Sequence, residues 1–206
     1  MAKQYKVIFI DWDGTLSNSR FWQRWIGTSE YDRIQQVLFG EDTEHTRLWM
    51  TGFMTYNQVL RHVESNTGIA YEELASELEY SARHMKYIDG TTIDLIQKLR
   101  KNGIKVVIAT DNMETFRLWT VPELKLENLF DGILTSDTRG ALKTEYSDNG
   151  TSKFFSHYLT QSDIHAGESV LIDNSLDIKI VENFGIDFLH VNESTSLVDH
   201  LKRLLD

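Results

Sequence analysis

A chain of 206 residues, 41% hydrophobic and 25% charged, has the material for one soluble globular domain, or for a core carrying a smaller insertion. Its formal net charge of −10 argues against a nucleic-acid groove or an anionic membrane surface as the main partner, because both would repel it. The absence of cysteine excludes disulfides, thiolate nucleophiles and cysteine zinc sites, and suits a reducing cytoplasm.

In chain order, the opening residues MAKQYKVIFIDWDG lack the long apolar stretch of a signal peptide. No later window approaches the roughly 18 apolar residues of a membrane helix, so a soluble cytoplasmic protein is expected. KVIFI at 6–10 is a short run of the kind that forms a strand buried on both faces. From about Ser17 to Ile88 the pattern turns helical. Tyr31, Ile34, Val37 and Leu38 share one face, and Val59, Leu60 and Val63 another, while Leu74, Leu78, Ala82 and Met85 form a longer stripe. These predict an all-helical insertion over 17–88, with the acidic run EELASELE at 72–79 as a solvated helix face. TTIDLIQKLRKN reads as a helix closed by Gly103, and is followed by the strand KVVIAT at 105–110 and a weaker one, GILT, at 132–135. SVLID at 169–173 and IDFLHV at 186–191 flank a helical segment, SLDIKIVENFG. Strand alternating with helix predicts an α/β fold, a doubly wound parallel-sheet Rossmann-like core of residues 1–16 and 89–206.

Chemistry-bearing residues fall at the predicted strand ends: Asp11 and Asp13 in DWDGTL, Thr110 closing KVVIAT, and Asp173 closing SVLID with Asp177 four residues later. Carboxyl ends of parallel strands form the ligand crevice of such a sheet, so residues far apart in sequence are expected to converge. Of two neighbouring carboxylates, one can attack phosphorus while the other protonates the leaving oxygen. A third, Asp173, lets a divalent cation sit among them, and all-oxygen ligation suits Mg²⁺. Gly14 permits a tight turn whose amides can face a phosphate, and Thr110 offers a hydroxyl and an amide, with Asp111 beside it in the same phosphate-binding set.

With DWDGTL at 11–16, VVIAT at 106–110, a lysine ahead of the fourth motif and VLIDNSLD at 170–177, the chain resembles the haloacid dehalogenase superfamily. The resemblance implies that Asp11 is a nucleophile forming an aspartyl-phosphate and that Asp13 is the general acid and base. Thr110 would bind the phosphoryl group, and Asp11, the backbone carbonyl of Asp13, and Asp173 would hold Mg²⁺, with Asn174 as a lesser metal candidate. The helical insertion resembles a C1-type cap that contributes specificity. Dehalogenating members typically lack an acid where Asp13 stands, so the resemblance implies phosphate ester chemistry.

Two lysines compete to balance the charge of Asp11 and the phosphate. Lys153 is favoured: it opens KFFSHYL, where Phe154, Phe155 and Leu159 can pack inward, and lies 20 residues before Asp173. Lys143 lies 30 residues before Asp173 and precedes a polar loop, TEYSDNG. Arg20, Arg24 and Arg47 are candidates to contact a second anionic group, although solvated roles are commoner, and Trp22, Trp25 and Trp49 read as packing within the insertion before they read as pocket walls. The seven histidines show no close metal spacing. The leading expectation is a phosphatase of a small phosphorylated metabolite. A phosphotransferase or phosphomutase with the same intermediate, and a non-catalytic phosphate-responsive module, are the alternatives.

Overall fold

In the computed structural model, residues 3–175, 181 and 183–205 are described. Five strands form one parallel sheet: β1 (Val7–Ile10), β2 (Lys105–Thr110), β3 (Gly132–Thr135), β4 (Ser169–Asp173) and β5 (Asp187–His190), in the order β3-β2-β1-β4-β5. The four-residue weak strand at 132–135 pairs along β2, with Thr110 opposite Thr135. The expected helical segment between the last two strands lies largely outside the described residues, and Asp177 lies outside them too.

Side chains alternate across the sheet, so each strand feeds two cores. Ile8, Ile10, Val106, Ile108, Val170 and Ile172 pack on one face, against α5 (Thr91–Lys101) and the helix Leu197–Arg203. Val7, Phe9, Val107, Ala109 and Leu171 pack on the other, against Phe154, Phe155 and Leu159. Burial on both faces is why these strands read as continuous apolar runs.

Residues 17–88 contain α1 (Ser29–Phe39), α2 (Glu44–Met50), α3 (Tyr56–Thr67) and α4 (Tyr71–Arg83), and no strand among them. Their apolar stripes meet in a third core built on Trp22, Ile34, Leu38, Trp49, Val59, Leu60, Val63, Leu74 and Leu78. Met113, from the segment after β2, joins that core and ties it to the sheet. A capping box between Thr55 and Gln58 starts α3, an arrangement worth about 1 kcal/mol. One expectation fails in this region: Glu77, in the acidic run of α4, is buried rather than solvated. Its carboxylate takes the Arg24 guanidinium and the Arg24 backbone N–H, because α4 turns that position inward beside Leu78. Among the described residues, no helix is long and apolar enough to cross a membrane.

Candidate active site

The chain order reverses around β1, whose two neighbours are β2 and β4. At such a switch point the strand ends part to leave a crevice. Asp11 follows β1 directly and its N–H donates to the Ile172 carbonyl (3.0 Å), placing it beside the end of β4, where Asp173 stands. Ile10 pairs with Ile108, so Thr110 comes level with the turn that carries Asp13. Four of the sequence-predicted positions therefore converge as expected.

The turn DWDGTL closes on itself. The N–H groups of Leu16 and Ser17 donate to the Trp12 carbonyl, and Gly14 N–H donates to the Ser17 carbonyl at 2.7 Å. Gly14 holds φ +80°, and a β-carbon there would come within 2.3 Å of the Asn174 side chain. Glycine is thus required by both backbone and space. Its own amide is spent inside the turn, on the Ser17 carbonyl, so any phosphate-facing amide of this turn is another residue's. Asn174 is held close by, accepting from the Thr15 hydroxyl at 3.2 Å.

Lys143 is the lysine at this site. Its Nζ lies 2.8 Å from Asp11 Oδ1 and 2.5 Å from Asp173 Oδ2, with all three side chains buried. Lys153, the favoured contender, is instead about half exposed and sits 4.0 Å from Glu145. The reason lies in the loop between them. TEYSDNG folds into a tight excursion in which Tyr146 bridges Ser152 and Ser147 N–H meets the Thr151 carbonyl, so the nine intervening residues cover little distance. Phe154 and Phe155 do pack inward as expected, but they leave Lys153 facing solvent. Asp111, expected in the phosphate-binding set, has its carboxylate accept the Lys143 backbone N–H at 2.8 Å.

Asn112 is a neighbour the sequence did not reveal. It is fully buried, its side-chain amide donates to Asp13 Oδ2 at 3.0 Å, and its own Oδ1 accepts from Met113 N–H. Ser136 pins its backbone N–H at 2.9 Å. A lone asparagine two residues beyond a strand end carries no spacing signal. Only burial and aim set it apart.

The electrostatics follow from several carboxylates around one ammonium. Burial pushes Asp11 up to about 7, with Lys143 opposing. Burial likewise pushes Asp13 up to about 6, against the pull of Arg20 and Lys143. Burial alone would raise Asp173 too, but Lys143 and two hydrogen bonds from Ser175 hold it below the usual carboxylate range. Burial works to lower Lys143, yet Asp11, Asp173 and Asp111 outweigh it and raise the ammonium. Thr110 Oγ1 is buried with no hydrogen-bond partner among the described residues, an orphaned group of the kind a ligand oxygen satisfies.

This surplus of buried carboxylate fits a divalent cation. Asp11, Asp173 and the Asp13 backbone offer hard oxygen donors of the type Mg²⁺ takes, and a cation would favour the ionised form that burial disfavours at Asp11 and Asp13. Among the described residues, no three acidic or imidazole side chains are grouped to hold an ion by themselves. Backbone, water and substrate oxygens would complete an octahedral shell.

A family profile described as haloacid dehalogenase-like hydrolase matches residues 5–177. The sesquiterpene phosphatase astK of Aspergillus oryzae is 26% identical over 143 residues, which cover 68% of this chain and 69% of that protein. A predicted HAD-like family hydrolase from Porphyromonas gingivalis superposes with a TM-score of 0.73 at 16% identity, over 99% of this chain and 98% of that one. A HAD family enzyme from Bacteroides thetaiotaomicron, in complex with magnesium and inorganic phosphate, gives 0.64 at 16% identity over 91% and 94%. A HAD phosphatase from Thermococcus onnurineus gives 0.66 at 21% identity over 97% of each chain. At these identities the solved structures establish the fold. The profile runs from ahead of β1 to just beyond β4 and so takes in every strand end that carries a site residue, and on that match the chain belongs to the haloacid dehalogenase-like hydrolase family.

Proposed function

We propose that this hydrolase is a Mg²⁺-dependent phosphatase, acting on a small phosphorylated metabolite through an aspartyl-phosphate on Asp11. The observation that carries the reading is the buried Asp11–Lys143–Asp173 cluster at a sheet switch point, with Asp13 and Thr110 beside it. A phosphatase name on the Aspergillus relative, and the magnesium and phosphate bound by the Bacteroides enzyme, support it.

In this reading a carboxylate oxygen of Asp11 attacks phosphorus, the bond from phosphorus to the leaving oxygen breaks, and Asp13 gives that oxygen its proton. A water then attacks the phosphorus of the acyl phosphate and loses a proton to Asp13, which frees phosphate and restores Asp11. Because Asn112 donates to Asp13 Oδ2, the proton is left to Oδ1. An acid pushed up to about 6 is poised to give and take a proton near neutrality. Lys143 screens the nucleophile from the incoming phosphate and fixes its orientation. When bound at Asp11, Asp173 and the Asp13 carbonyl, Mg²⁺ would neutralise charge on the phosphoryl group. The helices of 17–88 act as a cap that selects the leaving group.

The test is steady turnover of para-nitrophenyl phosphate with Mg²⁺, by the native chain and by Asp11→Asn. The substitution should abolish turnover. Residual activity above about 1%, not traceable to deamidation, would remove Asp11 from the nucleophile's role.

A further inference from the structure

A cavity of about 260 Å³ opens onto Asp13 and Asp111. Its walls are Phe21 and Trp22 from the loop after β1, Tyr31 and Phe39 of α1, Met50 of α2, and Met113 beyond β2. The wall is held firmly: Trp22 adopts a left-handed backbone (φ 53°), and its indole N–H donates to the Leu74 carbonyl at 3.0 Å. Beyond the two aspartates, the side chains lining it that carry polar groups are Ser19, Arg20, Gln35 and Tyr31, the last through its hydroxyl. Ser19 Oγ is already engaged by the Lys86 N–H at 2.9 Å. Of the three candidate arginines, Arg24 is paired with Glu77 and Arg47 with Glu145, whereas Arg20 has no carboxylate ion pair among the described residues.

We propose that this cavity receives the leaving group, and that the substrate is the phosphate monoester of an apolar alcohol rather than of a sugar; the inference rests on the phosphatase reading above. Phe21, Trp22, Phe39, Met50, Met113 and the Tyr31 ring face the space a leaving group would fill. A sugar would press most of its hydroxyls against them without partners, and unpaired buried hydroxyls are disfavoured. An alkyl or prenyl-like chain loses nothing there and gains contact with aromatic faces and methionine sulfur. At about 260 Å³, the cavity has room for an alkyl chain of several carbons. Phe39 is 49% exposed, so a longer chain runs past it into solvent. Arg20 lines this cavity together with Asp13, and in this proposal its guanidinium meets the phosphoryl oxygens that every such ester shares.

The test compares kcat/KM for octyl phosphate and glucose 6-phosphate with Mg²⁺, and the affinities of octylphosphonate and methylphosphonate by calorimetry. Octyl phosphate should be preferred by at least about 100-fold, and octylphosphonate should bind at least about 10-fold more tightly than methylphosphonate. Phe39→Ser and Met50→Ser should each narrow the octyl-over-glucose preference by about 10-fold. Phe53→Ser, an exposed aromatic away from the cavity, should leave the preference as it was. Turnover with glucose 6-phosphate preferred would overturn this inference and leave the phosphatase reading standing. Failure to turn over any ester would remove the phosphatase reading. The phosphonates would then still judge the cavity: tighter binding of the octyl compound supports it, and equal affinities overturn it.

Discussion

Lys143 and Asp11 stand 132 positions apart in the chain, yet the ammonium nitrogen of one lies 2.8 Å from a carboxylate oxygen of the other, in a buried site. A charge pair out of water survives only when its partners are well placed, and here Asp173 completes the arrangement at 2.5 Å. Lys143→Ala should therefore lower kcat by at least about 100-fold, the scale of one lost transition-state stabiliser. Removing one partner of a buried pair costs about 3–5 kcal/mol, so the variant should also melt earlier. Lys153→Ala, at a half-exposed position, should change kcat by less than about fivefold. The opposite ranking in side-by-side kinetics would return the role to Lys153.

Asn112 aims its amide at Asp13 Oδ2 from a fully buried position. If that bond orients the acid, its loss should matter in proportion to how much the leaving oxygen needs a proton. Asn112→Ala should slow an alkyl phosphate by about tenfold or more, and para-nitrophenyl phosphate, whose leaving group departs readily as an anion, far less. Equal slowing of both esters would mean that Asn112 supports only the fold.

The metal-free protein should be less stable at higher pH within a defined window. Asp11 and Asp13 are raised from 3.8 to about 7 and about 6, so the folded state holds their protons more tightly than the unfolded chain does. The resulting stabilisation is fully present below about pH 4 and is lost as pH rises through 6 and 7. Mg²⁺ competes with those protons. The rise in melting temperature on adding Mg²⁺ to chelator-treated protein should thus grow from pH 5.5 to pH 8, and a rise of constant size would contradict the charge argument.

Glu114 links the segment after β2 to the helices above it. Its carboxylate accepts the Trp49 indole N–H at 2.7 Å and the backbone N–H of Tyr56 at the start of α3. Glu114→Ala would leave two donors in this partly buried seam without that acceptor, at about 1–3 kcal/mol for each one kept from water. Urea unfolding should show the loss, and KM should rise more than kcat falls, because α2, which lends Met50 to the cavity, is one of the two helices released. An unchanged KM would mean that the link is purely structural.

The chain's periodicities were sufficient for the sheet. Runs such as VIFI and SVLID, alternating with helical segments, fit strands buried on both faces of a parallel α/β layer, and the acids directly after them then emerge at its carboxyl edge. The helices of 17–88 were legible for a similar reason, since Ile34 with Leu38, and Val59 with Val63, repeat at the period of a helix face.

What tertiary structure alone decided was distance and aim. Sequence separation favoured Lys153, but a loop that doubles back on itself takes up the nine residues between the two lysines, and it is Lys143 that reaches Asp11. Glu77 read as one solvated acid among several until α4 was set against Arg24. Asn112 carried no signal, and Gly14 gave up its amide to Ser17. Local patterns record which face of an element is apolar, because that is fixed by neighbours a few residues away. Which polar atoms meet across the site depends on loop paths and on partners more than a hundred residues off, and only the folded chain brings them together.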